Sequence, residues 1–566
     1  MPCSPTSRAL DAVAALAEAA AQQRGVSLVG SDLRLFENRT TVGPSDRADM
    51  ALVSPFALGR TYELLLAPKT RRKTGAHLTP ETVARNLVAM MPSPVAGNTV
   101  LDPAVGGAAF LIAVADQLVA AGAPPAAVLG QLFGVDIDPG AVAVAEAALM
   151  LWGLDNGVAV RALPNMRPGD GLLEVLPRVS RVVGNPPFLN QLRSSSTHTA
   201  RRRSALREKW GELVGTYTDD AWLFLAAGLD ALDSDGVLAM VQPVSVLAAR
   251  HGDPVRRHVS ERASLRGLWL ARDQVFDAAV QVCGVVLGTG DHSTEQVERC
   301  VGSDFSPALA LATQPDASAW GSAAAATMNV PQVDLIHQSG NTIGDLASAT
   351  AGFRDQFYGF VPFVSEWPSE DVPATHAKLV TVGMIDVLGL GWGTRSFKFA
   401  KRPFKRPVVD LLALGDQDPK LAEWVAARRR PKLLMATQTR IAEVWVDERG
   451  DAVPATPVVS VEPFTDDRDQ LWMLAAALSA PALSAHFLAT NFGTALSLNA
   501  MKIAARDVLT APLPADKAAW REAAALLQSE PTDYATFASL MGRAYGTTED
   551  HLASWWLDRA RNQIGR

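Results

Sequence analysis

The 566-residue sequence predicts an α/β fold in which a doubly wound, mainly parallel sheet spans residues 99–289. Three observations support this prediction. Short apolar runs alternate with segments of helical periodicity, which is the pattern of a parallel sheet with crossover helices. Polar residues recur where the apolar runs end, as expected at the ligand-binding edge of such a sheet. The composition, 48% hydrophobic and 20% charged, is that of an ordinary globular chain.

The first elements follow from the apolar pattern. Val100 and Leu101 predict a strand that ends at Asp102, and a Gly-rich turn at Gly106 leads into a helix that stops at Gly122. The other predicted strand ends that carry a polar residue are Asp136 after 132–135, Asp170 in a Gly-Asp-Gly turn, and Asn185 after 179–184. Because the carboxyl ends of parallel strands share one edge, we expect these residues to lie together.

Later segments complete the predicted sheet. A helix is expected over 219–232 and a strand over 236–241. The apolar runs 265–270 and 280–287 are expected to close the sheet as an antiparallel pair.

The sequence Asn185-Pro186-Pro187-Phe188 gives the strongest functional signal. An exocyclic amine is a poor nucleophile because its lone pair is delocalised into the ring. The Asn185 side-chain oxygen and the Pro186 carbonyl can accept its two hydrogens and direct the lone pair toward an electrophilic methyl group. Phe188 would stack on an extruded ring. A purely structural turn is the alternative, because Asn and Pro favour turns for local reasons.

Two upstream features suit a nucleotide-like ligand. The Gly-rich turn lets backbone approach a ligand closely, and Asp136 lies at the offset of an acid that binds both ribose hydroxyls. Thr79-Pro80-Glu81 predicts a helix start with Thr79 as N-cap, which leaves free N–H groups for a carboxylate. An ordinary structural cap explains Thr79 equally well.

Composition limits the class of protein. Cys3, Cys283 and Cys300 are too few and too scattered for a disulfide framework or a Cys-rich zinc site, and no metal is expected. No stretch has the pattern of a signal peptide or a membrane span. We therefore expect a cytoplasmic protein with no membrane partner.

Charge is distributed unevenly along the chain. A formal net charge of -7 argues only weakly against a nucleic-acid partner, because such contact surfaces are local. Between residues 395 and 406 the chain carries six cations and no acid, interleaved with phenylalanines. The cations are Arg395, Lys398, Lys401, Arg402, Lys405 and Arg406. A solvated basic face is the alternative to a nucleic-acid surface.

Taken in chain order, these motifs resemble those of the gamma-class DNA adenine-N6 methyltransferases, the N-6 DNA methylases. The matching stretches are Lys73-Thr74-Gly75 through Thr79-Pro80, Asp102-Pro103-Ala104 with Gly106 and Phe110-Leu111, Asp136, Asp170, and Asn185-Pro186-Pro187-Phe188. Ala108 is a departure, since the common pattern has a second glycine there. The resemblance covers about 70–290 with specific motifs and about 345–515 more loosely.

The resemblance implies a Rossmann-like class I methyltransferase fold that uses S-adenosylmethionine, with a C-terminal mixed α/β target recognition domain. The donor-binding residues that it implies are Thr74, Gly75, Thr79, Pro80, Asp102, Ala104, Gly106, Phe110, Asp136, Ile137, Asp170, Gly171 and Asn185. The implied catalytic residues are Asn185, Pro186, Pro187 and Phe188, with Phe188 and Phe276 stacking on the target base. The six cations between 395 and 406 are the implied DNA contacts.

These expectations divide the chain into five parts. They are an N-terminal helical segment (1–60), a catalytic domain (61–300), a linker (301–340), a target recognition domain (341–515) and a C-terminal helical tail (516–566). The expected function is site-specific transfer of a methyl group from S-adenosylmethionine to N6 of a flipped adenine in duplex DNA, in restriction-modification or phage defence.

The same turn is compatible with different functions. Methylation of a protein glutamine N5 needs similar lone-pair activation, although the enzymes known for it are short and this chain has a long C-terminal part. RNA adenine methylation and a non-catalytic role as a DNA-binding subunit are also compatible with the sequence. The expected partner is double-stranded DNA, so the cytoplasmic protein is expected to be nucleoid-associated. The expected state is a monomer, and a companion restriction or phage-defence protein is left open.

Overall fold

The computed structural model divides into two compact units, Met1–Thr327 and Met328–Arg566. The residues that it leaves undescribed are 1–4, 38, 40, 43–52, 67–78, 160–161, 189–199, 276–279, 291–295, 312–314, 336–339, 353, 496, 530–531, 548–549 and 562–566.

The first unit is built on a nine-stranded sheet. Its strands are β1 (Val100–Asp102), β2 (Leu132–Asp136), β3 (Met166–Pro168), β4 (Val179–Gly184), β5 (Leu232–Pro243), β6 (Ser264–Leu270), β7 (Val282–Gly288), β8 (Val297–Val301) and β9 (Ser306–Leu311). They are ordered β3-β2-β1-β4-β5-β7-β6-β8-β9. The first five are parallel, and β7 is antiparallel to both β5 and β6. The predicted doubly wound sheet and the antiparallel pairing of β6 with β7 are confirmed. The pair does not close the sheet, because β8 and β9 extend it beyond β6.

The strand order places a topological switch between β1 and β4. The chain proceeds from β1 through β2 to β3 on one side, then returns to build β4 and β5 on the other. In open parallel sheets, the crevice outside the carboxyl ends of strands at such a switch is where ligands bind. Asp102 and Asn185 lie at the ends of these two strands.

Ten helices of the described residues accompany this sheet. They are α1 (Pro5–Gln22), α2 (Phe56–Leu65), α3 (Glu81–Ala89), α4 (Ala109–Ala120), α5 (Pro125–Gln131), α6 (Pro139–Asp155), α7 (Ala200–Trp210), α8 (Asp220–Ala231), α9 (Asp253–Ser260) and α10 (Trp320–Thr327). Helix α6 is apolar around most of its circumference because α1 and α2 cover the side that faces away from the sheet. The N-terminal helices are thus part of the core of the first unit.

The segment 301–340, expected to be a linker, is ordered where it is described. Strand β8 ends at Val301 and pairs with β6, β9 pairs with β8, and α10 follows within the same compact unit. Buried Arg299 holds these pieces together, since it donates to the carbonyls of Leu309 and Ala323. The linker prediction was wrong because a small Ala-rich stretch carries little periodicity, whereas pairing with the sheet edge satisfies its backbone.

The second unit contains two four-stranded sheets and three short strand pairs. Its strands are β10 (Ala347–Ala351), β11 (Val364–Glu366), β12 (His376–Val380), β13 (Ile385–Asp386), β14 (Gly389–Leu390), β15 (Phe397–Phe399), β16 (Arg402–Phe404), β17 (Pro407–Asp410), β18 (Lys432–Met435), β19 (Gln438–Thr439), β20 (Val444–Asp447), β21 (Ala452–Pro454), β22 (Val459–Pro463) and β23 (Met501–Lys502). The sheets are ordered β10-β22-β18-β20 and β11-β17-β12-β21, and the pairs are β13–β14, β15–β16 and β19–β23.

Helices complete the second unit. They are α11 (Arg354–Phe360), α12 (Leu411–Gln417), α13 (Pro419–Ala426), α14 (Arg468–Ser479), α15 (Pro481–Thr490), α16 (Ala505–Leu509), α17 (Lys517–Ser529), α18 (Tyr534–Ala544) and α19 (Asp550–Arg561). This mixed α/β architecture is the one predicted for the C-terminal part. Across the described residues no single helix has the length and apolarity to cross a bilayer, and α14 with α15 meets that test only as a pair bent by 55°.

Candidate active site

The ends of β1 and β4, together with the turn after β3, pack against one another at the carboxyl edge of the sheet. A Cβ on Gly184 would lie 2.7 Å from Asp102 Oδ1, and a Cβ on Gly171 would lie 2.2 Å from the carbonyl oxygen of Pro103. Both distances are shorter than a side chain can tolerate, so glycine is required at the two positions for steric reasons. The predicted meeting of these strand ends is therefore present.

Asp102 is enclosed by this packing. Its side chain is buried, and Oδ1 accepts a hydrogen bond from the Ala104 N–H at 3.0 Å. Burial raises the pKa of the Asp102 carboxyl to about 8, with a smaller contribution from the charge of Asp136. The Asp102 carboxyl therefore fixes the backbone at the start of the Gly-rich turn through its hydrogen bond with Ala104.

Asp136 fixes the Gly-rich turn from the neighbouring strand. Its Oδ2 accepts the Gly106 N–H at 2.9 Å, and its Oδ1 accepts the Asp138 N–H at 2.8 Å. Burial raises the pKa of Asp136 to about 6, although these backbone hydrogen bonds favour the ionised form. An ionised carboxylate offers about four acceptor positions, so each oxygen retains one. The next side chain, Ile137, is 60% exposed and gives the edge an apolar surface.

The Gly-rich turn uses left-handed backbone at two positions. Gly106 has a φ of 48°, and Ala108, the departure from the family pattern, has a φ of 63° immediately before α4. A left-handed residue with a Cβ costs roughly 1–2 kcal/mol, which explains why glycine suits this position. Phe110 follows in α4 with only 2% of its surface exposed, so its side chain supports the turn from the core.

Asn185 is held by a residue from the segment before β1. Its Nδ2 donates to Thr79 Oγ1 at 3.0 Å, across 106 residues of chain. The expected capping role of Thr79 was wrong, because α3 begins at Glu81 with Pro80 at the N-cap position and no side-chain cap. The Thr79 hydroxyl instead orients the Asn185 amide. Pro186 is buried, whereas Pro187 and Phe188 are half-buried beside it.

Asp170 is engaged in an ion pair that the sequence did not reveal. Arg202 Nε lies 2.6 Å from Asp170 Oδ2, and its Nη1 lies 2.7 Å from Asp220 Oδ2. Asp170 Oδ1 also accepts the Leu172 N–H at 3.1 Å. The only sequence signal for this cluster was the basic run Arg201–Arg203, which carries no indication of which acid it meets.

Helix α2 supports the Gly-rich turn and the start of α6. Gly59 packs so closely on Gly107 that a Cβ on either residue would lie within 2.8 Å of the other's Cα. Tyr62 Oη donates to Asp138 Oδ2 at 2.8 Å, and the absence of a side chain on Gly140 makes room for that phenol. Asp138 in turn caps α6 by accepting the Gly140 N–H at 2.9 Å.

Some of the predicted site lies outside the described residues. Thr74, Gly75 and Phe276 fall in the undescribed segments. The structure brings together Thr79, Asn185 and the strand-end residues at one edge of the first unit.

The predicted DNA contacts belong to the second unit and form a hairpin. Strands β15 and β16 pair through a two-residue turn at Ala400 and Lys401, both with positive φ. Phe399 and Phe404 are buried in the core of this unit, so the phenylalanines are structural. Within the described part of the chain, Arg395 pairs with Asp386 and Arg406 with Glu370, whereas four cations are exposed without an ion pair. These four are Lys398, Lys401, Arg402 and Lys405.

Comparison with known proteins agrees with the motif analysis. Residues 54–298 match the family model described as N-6 DNA Methylase. The resemblance to the N-6 DNA methylases is confirmed over this segment. The match starts two residues before α2, so the N-6 DNA methylase segment includes the helix that supports the Gly-rich turn. No curated protein is significantly similar to the whole chain in sequence.

Solved structures resemble this chain to different extents. The type IIL restriction-modification enzyme MmeI, solved in complex with DNA, is 13% identical with a TM-score of 0.61, and the alignment covers 94% of this chain and 86% of that one. The type IIG restriction endonuclease BpuSI is 13% identical with a TM-score of 0.41, over 99% of this chain and 78% of that one. A modification subunit of a type I restriction enzyme from Vibrio vulnificus YJ016 is 20% identical with a TM-score of 0.34, over 44% and 54%. The similarity to MmeI shows a shared fold over most of the chain, and the sheet of the first unit is the one predicted for a class I methyltransferase fold.

The packing of α2 on the Gly-rich turn predicts an unusual response to alanine. At Gly59, alanine would raise helix propensity by about 1 kcal/mol, but overpacking costs about 1–3 kcal/mol. We expect Gly59→Ala to lower the free energy of unfolding by about 1 kcal/mol, as measured by urea denaturation.

Gly97→Ala is the matched control, because a Cβ there meets nothing within 4 Å. Its free energy of unfolding should match that of the parent within about 0.5 kcal/mol. A Gly59→Ala protein as stable as the Gly97→Ala protein would contradict the close helix-to-turn contact.

Proposed function

We propose that this chain is a site-specific DNA methyltransferase that transfers a methyl group from S-adenosylmethionine to N6 of an adenine flipped out of duplex DNA. The observation that carries the proposal is the Asn185-Pro186-Pro187-Phe188 turn, which ends β4 at the switch point and is held there by Thr79. The N-6 DNA Methylase match over 54–298 supports the same reaction class.

The turn supplies the groups that an exocyclic amine requires. The Asn185 amide donates from Nδ2 to Thr79, and its oxygen is the acceptor that suits an amino hydrogen. The Pro186 carbonyl accepts the second hydrogen. Two acceptors at fixed positions draw the nitrogen toward tetrahedral geometry and stabilise the charge that develops as the new bond forms. Phe188, half-buried against the core, would stack on the flipped base.

The donor site fits S-adenosylmethionine in its hydrogen-bonding groups. The remaining acceptor position on each oxygen of Asp136 matches a pair of ribose hydroxyls, and exposed Ile137 offers a face for the adenine ring. Gly106 keeps side chains away from this edge. Asp170 Oδ1 accepts from both the Leu172 N–H and Arg202 Nη2, and Oδ2, which accepts from Arg202 Nε, retains an acceptor position for an amino group. S-adenosylmethionine, when bound, supplies the electrophilic methyl group.

The second unit is proposed to recognise the DNA target. Residues 341–515 would act as the target recognition domain, with the exposed cations of the β15–β16 hairpin contacting phosphates. The similarity in fold to MmeI, which was solved in complex with DNA, supports this division of roles. The same similarity supports a restriction-modification setting, and a role in phage defence is part of the same proposal.

The decisive test is expression in a host that lacks DNA methylation. The parent should produce N6-methyladenine at one sequence context in plasmid DNA, as read by sequencing. We expect Asn185→Ala to lower kcat roughly 10²–10³-fold, because it removes an acceptor that acts in the transition state. Donor binding, measured by calorimetry, should be nearly unchanged, since other strand ends form that site.

Asn165→Ala is the control, because Asn165 lies before β3 at the amino edge and bonds the Gly130 carbonyl. It should methylate like the parent. Full activity in Asn185→Ala would refute the mechanism, and methylation of RNA or of protein glutamine in place of DNA would refute the substrate.

The pKa of Asp136 predicts a pH dependence of donor binding. Its ionised fraction falls as pH drops through about 6, and the protonated acid loses an acceptor position. We expect the Kd for S-adenosylmethionine to rise about tenfold between pH 7 and pH 5. Asp136→Asn should bind weakly at both pH values with little dependence on pH. Parallel pH profiles in the two proteins would show that another group is titrating.

Salt dependence tests the hairpin. Replacing Lys398 and Lys405 with alanine should reduce the slope of log affinity against log salt by about 2, near 0.9 for each lost phosphate contact. The control, Lys517→Ala with Arg521→Ala on α17, makes the same charge change on the second unit. Fluorescence anisotropy with specific and random duplexes should show similar losses, since phosphate contacts carry no sequence information. Equal slopes in both variants would assign the hairpin to a solvated face.

A further inference from the structure

Helix α7 is fastened to the candidate active site along one face. Arg202, Leu206 and Trp210 recur every four residues and point inward. Arg202 bridges Asp170 and Asp220, and Trp210 Nε1 donates to the Leu172 carbonyl at 3.0 Å. The helix is therefore held on the turn after β3, at the edge that carries Asp102 and Asn185.

The rest of the helix surface is strongly basic. Its sequence contains five cations, Arg201, Arg202, Arg203, Arg207 and Lys209, and one acid, Glu208. Arg201 and Arg207 are exposed and Arg203 is half-buried. Over the described residues, none of these three guanidinium groups lies in an ion pair, so no acid in that part of the chain compensates their charge.

Arg203 and Arg207 share one side of the helix because they are four residues apart. Their Cβ atoms are then about 5–6 Å apart, and a guanidinium binds phosphate oxygens through two parallel N–H groups. Two such groups side by side suit consecutive phosphates of one nucleic-acid strand better than a single small anion.

We propose that Arg203 and Arg207 bind the DNA phosphates that flank the flipped adenine. The inference rests on the proposed function, because a base that reaches Asn185 must bring its own sugar-phosphate backbone to this edge. Arg202 anchors the helix to Asp170, so the phosphate contact is fixed relative to the donor site. This surface belongs to the first unit and is separate from the hairpin of the second.

The test compares the variant pair Arg203→Ala and Arg207→Ala with a matched pair at the opposite edge. Arg178 precedes β4 and Arg262 precedes β6 at the amino edge, where each meets an exposed aspartate, so Arg178→Ala with Arg262→Ala makes the same charge change. Binding is followed by fluorescence anisotropy at several salt concentrations, on a duplex that contains the methylated sequence. We expect the Arg203/Arg207 variant to lose about 2 from the slope of log affinity against log salt, and the control to keep the parent slope.

Position is tested with the duplex itself. Neutral methylphosphonate linkages on both sides of the target adenine should weaken binding by the parent and by the control, but should cause little further loss in the Arg203/Arg207 variant. Arg203→Lys with Arg207→Lys should retain most of the slope, because the charge is kept. Donor binding and urea unfolding should match the parent, which excludes a change in folding.

The outcomes separate the inference from the proposed function. If the parent neither binds nor methylates DNA, both are wrong. If the parent methylates DNA but the Arg203/Arg207 variant keeps the parent's salt slope, only the inference is overturned. The same holds if the methylphosphonate linkages weaken binding by the Arg203/Arg207 variant as much as they weaken binding by the parent. A loss confined to single-stranded RNA of equal length would also overturn it, since it would assign the surface to RNA.

Discussion

Backbone packing at the carboxyl edge of the first unit's sheet is the constraint on which the candidate site depends. Gly184 lies against the Asp102 carboxylate and Gly171 against the Pro103 carbonyl, at distances that exclude any side chain. This packing brings the ends of β1 and β4 and the turn after β3 into one small region. On the other side of the Gly-rich turn, Gly59 packs on Gly107 with the same close approach. Four glycines from distant parts of the chain thus set the dimensions of the edge.

The close packing also sets the electrostatics of the edge. Asp102 and Asp136 are drawn out of water and toward each other, and burial raises the pKa of both carboxyls. Each oxygen of Asp136 accepts one backbone N–H and retains a second acceptor position for a ligand. Asp170 is compensated differently, by the Arg202 guanidinium. These two acids at strand ends therefore have different partners. The free acceptor positions of Asp136 suit hydroxyl groups, whereas Asp170 anchors α7 through Arg202.

The basic surfaces of the two units illustrate a common arrangement. In the β15–β16 hairpin, buried phenylalanines fix the strands and the exposed cations lie on the outside. In α7, the buried face is formed by Arg202, Leu206 and Trp210, and outward-facing arginines occupy another side. In both cases an apolar or ion-paired anchor fixes the backbone that carries the cations, which would reduce the entropy lost in the phosphate contacts proposed above.

The sequence by itself determined the elements and the motif positions of the first unit, because they depend on local periodicity. The predicted strand 179–184 and the polar strand ends at 102, 136 and 185 agree with the structure. The antiparallel pairing of β6 with β7 was also predictable from the sequence, since two successive apolar runs favour that pairing. Local patterns carry this information because strand alternation and helix capping involve residues a few positions apart.

Only the tertiary structure decided which distant residues meet. Thr79 bonds Asn185 and not the start of α3, Arg202 meets Asp170, and Gly59 meets Gly107. The pairing of β8 with β6 and of β9 with β8, which extends the sheet beyond residue 300, was likewise decided only by the tertiary structure. Each of these contacts joins residues that are far apart in the chain, so its geometry depends on how the elements pack. No spacing in the sequence records that packing, and this is why the motifs were predictable while the partners that orient them were not.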